Sequence, residues 1–377
     1  MKLLLKRILA TFLPLQNSIV FESNPEFSCN TFPVYEELVK RGIRNKYQIY
    51  WLVQDKEKYK NDKSGNKYIN YREKGFSKIK RVYILCTSKA LIFSNVFLKK
   101  HKKRQLVVNL MHGSPLKTPV GYWEGDTCDF VITQSDFFNE KISEILGVPV
   151  SKMVSLGYPR TDILKQRGNT KEKLNISNEK VIVWMPTFRK NGNSGITYCD
   201  VNKLGVPLLE SEDKFEYINN ILKKNKIVLI IKLHPAEDIS QMTLSNYSNI
   251  LFLDNVELEK KGISVYQMLA DSDALITDYS SVYYDYLLVN RPIGLVIDDI
   301  KNFEEKSKFA YGRYTDFVKG TYIYNLEDFE KFIDDLKCGL DPYYRDRQCA
   351  IKMFCQYLDF DSTKRVCDFI ERKLTEI

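Results

Sequence analysis

"LITDYSSVYYDYLLVNRP", residues 275–292, begins as an apolar run and ends as a helical one. An acid and two hydroxyls, Asp278, Ser280 and Ser281, stand where the two meet. A buried strand feeding straight into a helix is the repeating unit of a parallel sheet with crossover helices. Such a sheet holds its ligand beyond the carboxyl ends of the strands. Ser280 or Ser281 is placed to cap "SVYYDYLLVN", read as an amphipathic helix. The free amides of a helix start favour an anion, and serine hydroxyls add donors without negative charge. Asp278 is expected to orient a loop amide or a neighbouring side chain rather than touch the anion. Plain capping without a ligand is the alternative for the serines.

The same alternation extends in both directions. Toward the C-terminal half the strand candidates are 181–188, 226–235, 249–254, 274–281, 292–298 and 321–325. Toward the N-terminal half they are 18–23, 47–53, 89–95, 105–112 and 128–135, with helical stretches such as 32–42 and 136–147 between them. The segment 157–180 is polar and rich in Gly, Pro and Asn, and reads as a linker. These signals predict an α/β chain with two similar open α/β domains, residues 1–165 and 166–341, and a helical segment over 342–377. A chain of 377 residues suits two cores better than one.

Further polar motifs stand at predicted strand ends. "MHGSPLK" (111–117) projects His112 from a tight turn, where an imidazole accepts a proton near neutral pH. A histidine bonded within the core is the simpler alternative. "KLHP" (232–235) puts Lys232 and His234 on one side of a strand by its period of two, and Pro235 stops that strand. "MPTFRK" (185–190) offers Thr187 and Arg189 for phosphate contact, since a guanidinium grips two oxygens; a solvated loop arginine is the alternative. Arg160 and Asp162 in "GYPRTDIL" read as a structural pair.

The chain carries 57 Lys and Arg against 48 Asp and Glu, a net charge of +9. This balance suits an anionic partner. The basic residues are dispersed and form no nucleic-acid module, so nucleic acid is not the expected partner. Eight cysteines without a CxxC pair and only three histidines argue for reduced thiols and against a zinc site. No tightly bound cofactor or metal is expected, and a divalent-cation requirement stays open. The start, "MKLLLKRILATFLPLQ", fits neither a spanning helix nor a signal peptide. At helical period it gathers Leu4, Leu5, Ile8, Leu9 and Phe12 on one side. It therefore packs on its own domain or dips into an anionic bilayer.

With "IVFES", "HGSPLK", "GYPRTD", "MPTFR", "KLHP" and "ITDYSSVYYDYLLVNRPI" in this order, the chain resembles the CDP-glycerol glycerophosphotransferase family, the teichoic-acid primases and polymerases. The resemblance implies a GT-B fold, two Rossmann-like domains with parallel sheets facing a central cleft. It implies transfer of glycerol phosphate from CDP-glycerol to a hydroxyl of a lipid-linked glycan, teichoic-acid or capsule acceptor, with release of CMP. His112 would then be the general base and His234 would steady the donor's pyrophosphate. Arg189, Thr187, Lys232, Ser280 and Ser281 would surround the same phosphates, with Asp278 in support. Such an enzyme would be cytoplasmic and peripheral, working against the anionic inner face of the membrane. CDP-ribitol as donor, or a GT-B glycosyltransferase using a nucleotide sugar, are the alternatives.

Overall fold

The computed structural model of the chain describes residues 12–118, 127–177, 179–187, 206–232, 247–306 and 308–377. The chain divides into two units, each built on one sheet. The first comprises Met1–Ser114, Val120–Asp162 and Gln356–Ile377, and the second Pro115–Pro119 and Ile163–Cys355.

The first sheet contains β1 (Gln16–Glu22), β2 (Gln48–Val53), β3 (Lys67–Asn70), β4 (Ser88–Phe93), β5 (Leu106–Asn109), β6 (Phe130–Thr133) and β7 (Met153–Ser155). Its order is β3-β2-β1-β4-β5-β6-β7, and every pairing is parallel. The second sheet contains β8 (Lys180–Met185), β9 (Ile227–Lys232), β10 (Ile250–Leu253), β11 (Ala274–Thr277), β12 (Ile293–Val296) and β13 (Thr321–Ile323). Its order is β10-β9-β8-β11-β12-β13, again parallel throughout. In both, the chain starts centrally, winds one way, and then crosses back to the other side of its first strand. This is the doubly wound arrangement, with its reversal at β1/β4 and at β8/β11.

The sequence explains the depth of burial. "IVLIIK" of β9 is buried at all six positions, as a strand covered on both faces must be. Trp184, Ile231, Ile276, Phe329 and Phe332 meet in the core of the second unit. In the first unit Phe21, Trp51, Val34 and Leu38 pack with Val366, Phe369 and Ile370 from the helix Ser362–Thr375.

Three expectations are corrected here. The strands β3 and β7 are additions, too short and too polar to show a period of two. The segment 342–377 is not one piece: the helix Tyr344–Phe354 belongs to the second unit, while Gln356 onward returns to the first. Residues 157–180 are also firmly held rather than a plain linker. Asp162 accepts the Ser362 and Thr363 N–H groups at 3.0 and 2.7 Å. Asp271 accepts the Gly168 N–H, and the Thr170 N–H at 2.9 Å.

Candidate active site

In the first unit the chain leaves β5 through a turn that its own side chains enforce. Asn109 Oδ1 accepts the Met111 N–H at 2.8 Å, and Met111 takes a left-handed φ of 55°. A non-glycine residue holds that conformation only where its surroundings over-determine it. Asn30 supplies the constraint, its buried Nδ2 donating to both the Leu110 and Met111 carbonyls at 2.9 Å. Asn30 immediately precedes the helix Thr31–Lys40, yet its side chain does not cap it. Its amide serves the β5 turn instead.

His112 follows this turn. Its Nδ1 lies 3.3 Å from the Ser94 carbonyl oxygen at the end of β4. A carbonyl only accepts, so Nδ1 carries the proton and Nε2 keeps its lone pair. Arg160 donates to the His112 carbonyl and stacks its guanidinium over Tyr158 at 5.4 Å. His112 is an exposed residue. Protein nonetheless crowds the ring, and that desolvation, followed by the Arg160 charge, lowers its pKa below the ordinary imidazole value. The imidazole is thereby kept neutral near pH 7, as a proton acceptor must be. Beside it Ser114 donates to Gln134 Oε1 at 2.8 Å.

Arg160 and Asp162 are not paired with each other. Arg160 turns to the His112 turn, while Asp162 caps the C-terminal helix of the same unit.

In the second unit the site residues gather where β9, β8 and β11 end side by side. The register sets Ile231 beside Trp184, and Thr277 beside Met185. Asp278 is fully buried just past β11, and both its carboxylate oxygens accept the Thr187 N–H, at 2.8 and 2.9 Å. The Thr187 hydroxyl donates to the same carboxylate. Tyr314 donates to the Asp278 carbonyl at 2.6 Å, which fixes the start of the turn from the other side. Lys232 ends β9 only 4 % exposed. Burial pushes its pKa down to about 8, against the opposing pull of Asp254.

The helix after Asp278 differs from its expected form. It spans only Val282–Tyr286, and all five residues are buried, so it is not amphipathic. A 3₁₀ turn, Leu287–Val289, continues it. Ser281 occupies the cap position in helical conformation without a side-chain cap bond. Ser280 Oγ accepts the Val282 N–H at a long 3.4 Å. So few aligned peptides make a weak macrodipole, which leaves the half-buried hydroxyls as the polar groups at this point. His234 and Arg189 lie outside the described residues. Lys232, Thr187, Asp278, Ser280 and Ser281 are thus brought to one sheet edge, and His112 stands at the corresponding edge of the other sheet.

Sequence reasoning missed Asn30 and Ser94 at this site, and Glu22, whose carboxylate accepts the Ser94 N–H at 3.3 Å. The one visible signal was Asn30, a cap-type residue directly before a helix. Glu22 and Ser94 reveal themselves only when β1 and β4 are paired.

Among the described residues no group of three or more His, Cys, Asp or Glu side chains could hold a metal ion. No described helix is long and apolar enough to cross a membrane.

Comparison with known proteins matches residues 5–372 to the family described as CDP-glycerol:poly(glycerophosphate) glycerophosphotransferase. The teichoic acid glycerol-phosphate primase of Bacillus subtilis (strain 168) is 23 % identical over 93 % of this chain and 91 % of its own length. The teichoic acid poly(ribitol-phosphate) polymerase of Bacillus spizizenii is 26 % identical over 95 % of this chain, but over only 57 % of its own length. Among solved structures, a histidine variant of the wall teichoic acid polymerase TagF soaked with CDPG superposes with a TM-score of 0.73. It is 21 % identical, and the match covers 98 % of this chain and 93 % of that one. This likeness bears on the fold, which is of the GT-B type.

Proposed function

Because the chain belongs to the CDP-glycerol:poly(glycerophosphate) glycerophosphotransferase family, we propose that it moves glycerol phosphate from CDP-glycerol to a hydroxyl of a lipid-linked glycan or teichoic-acid acceptor, releasing CMP. The chemistry asks for a base at the acceptor and for charge stabilisation at the donor. His112 Nε2 takes the acceptor hydroxyl proton. The acceptor oxygen then bonds to the phosphorus that bears glycerol, and the bond from that phosphorus to the bridging oxygen breaks. CMP leaves with that electron pair on its phosphate.

On the donor side Lys232 supplies positive charge, and Thr187, Ser280 and Ser281 supply hydroxyls. Asp278 holds Thr187 and makes no contact with phosphate. His234 and Arg189 are assigned to the same diphosphate on the strength of their motifs. The single observation that carries the reading is the His112 Nδ1 contact with the Ser94 carbonyl, which leaves Nε2 as the open acceptor.

The proposed setting is the cytoplasmic face of the membrane. Supporting it, the helix Gly75–Thr87 leaves Phe76 90 % exposed, with Ile79 and Tyr83 on the surface as well. Lys74 and Lys80 are exposed in the same stretch. Apolar side chains among basic ones suit an anionic bilayer surface.

The deciding experiment incubates the protein with CDP-glycerol and a lipid-linked disaccharide. The expected products are CMP and an acceptor heavier by one glycerol phosphate, read by mass spectrometry. A chain that releases no CMP from CDP-glycerol overturns the reading. CDP-ribitol is the second donor to try, because a ribitol-phosphate polymerase is similar over nearly all of this chain.

A further inference from the structure

Glu22 ends β1 with a side chain that is fully buried. Its Oε2 accepts three consecutive backbone N–H groups, of Ser94 at 3.3 Å, Asn95 at 3.0 Å and Val96 at 3.1 Å. Its Oε1 accepts the Tyr71 hydroxyl at 2.6 Å. Burying a carboxylate costs free energy unless such donors meet it. The competition is visible in Glu22 itself: desolvation raises its pKa, while the Tyr71 hydroxyl and the three amides pull it down.

The Asn95 N–H and the Ser94 carbonyl are opposite ends of one planar peptide group. Glu22 grips the N–H end, and His112 Nδ1 meets the carbonyl end. A negative charge on the N–H end fixes the plane and polarises the carbonyl toward the imidazole, as hydrogen bonds in series do. Ser94 is further held by its hydroxyl, 2.7 Å from Thr31 Oγ1.

We propose that Glu22 is a positioning residue for His112, acting through the Ser94–Asn95 peptide to keep the Nδ1–H tautomer and the basicity of Nε2. The proposal rests on the reading of His112 as the proton acceptor. Among the described residues, other groups around this ring and loop include the Arg160 guanidinium, the Cys29 thiol on the Met111 carbonyl, and Tyr71 behind the carboxylate.

The test is ¹⁵N NMR of histidine-labelled full-length protein across pH, alongside the pH profile of turnover with CDP-glycerol. Only three histidines are present, and His112→Gln assigns the resonance. The wild-type ring is expected as the Nδ1–H tautomer. Glu22→Gln is expected to mix the tautomers and to lower the His112 pKa. It should move the acid limb of kcat/KM to lower pH and reduce kcat by about tenfold or more, with the KM for CDP-glycerol within about twofold. If Glu22→Gln does not fold, Glu22→Asp keeps the charge but withdraws it by one methylene, and should shift the same quantities less. A wild-type ring protonated on Nε2, or a folded Glu22 variant with unchanged His112 titration and tautomer, overturns the proposal. Near-normal turnover of His112→Gln would instead remove the proton-acceptor role, and would leave the NMR comparison of Glu22 variants standing.

Discussion

Thr187 and Asp278, 91 residues apart in sequence, are joined by a backbone N–H that reaches both carboxylate oxygens. The bond ties the loop after β8 to the turn after β11, directly at the reversal point of the second sheet. Asp278→Asn removes the charge and one of the acceptors. Hydrogen bonds to charged groups contribute about 1.5–3 kcal/mol, so a loss of that size is expected in denaturant unfolding. The KM for donor should rise with it. Thr187→Val, which spares the N–H, should cost less on both counts. Equal stability of Asp278→Asn and wild type would remove this role.

His112→Ala is expected to lower kcat by about 100- to 10,000-fold with an unchanged thermal melt, because the residue belongs to neither hydrophobic core. The acid limb of the wild-type profile should lie below 6.5, since desolvation and the Arg160 charge both disfavour the imidazolium. Arg160→Gln withdraws a neighbouring positive charge, so the limb should move to higher pH. A limb that stays in place, or moves down, contradicts the electrostatic argument.

Lys232 gives a prediction of opposite sign for stability and function. Its pKa falls from 10.5 to about 8 on folding, which corresponds to a cost of about 3 kcal/mol to the charged form. The unfolded chain binds more protons between those two values, so stability rises with pH across that window. Lys232→Met should flatten that rise and stabilise the protein near pH 7 by about 1–3 kcal/mol, while weakening donor binding. Binding of CDP-glycerol to wild type should take up protons near pH 8, measurable by calorimetry in buffers of different ionisation enthalpy. Proton release, or none, counts against a phosphate contact.

Asp162 is predicted to matter for folding and not for chemistry. Its carboxylate serves the first amides of the helix Ser362–Thr375. Asp162→Ala should cost about 0.5–2 kcal/mol in equilibrium unfolding, with turnover of the folded fraction unchanged. A drop in kcat at full folding would give this motif a direct part in the reaction.

His234→Ala should abolish transfer and leave the melt nearly intact, since that residue is assigned to the donor diphosphate. Near-normal turnover would return His234 to a packing role.

What the sequence disclosed follows from the physics of each signal. Long apolar runs such as "KIVLIIKLHP" announce buried parallel strands by themselves, so β9 and its polar end were legible. "KYIN" and "MVS" become strands only through the neighbours they pair with, and no local pattern marks them. Ser281 shows how a polar residue before a helix misleads: capping propensity is statistical, and here the helix is short and buried on every side. Asn30 misleads in the opposite way, because its capping position conceals a tertiary task. Glu22 was unreadable because its partners sit 72–74 residues further along the chain.

The helix Ser362–Thr375 packs in the first unit, on residues that precede the long segment Ile163–Cys355 of the second. Arg41 reaches Asp368 at 2.6 Å and Glu371 at 2.8 Å, and Phe130 meets Phe369 edge-on. On the ribosome, therefore, the first unit stays incomplete until Ile163–Cys355 of the second has been made. Until the helix Ser362–Thr375 emerges, an apolar flank formed by Val34 and Leu38 lacks its cover. A premature stop near Cys355 would release a chain with the second unit's sequence complete and the first left unsealed, a candidate for chaperones and proteases rather than a smaller enzyme.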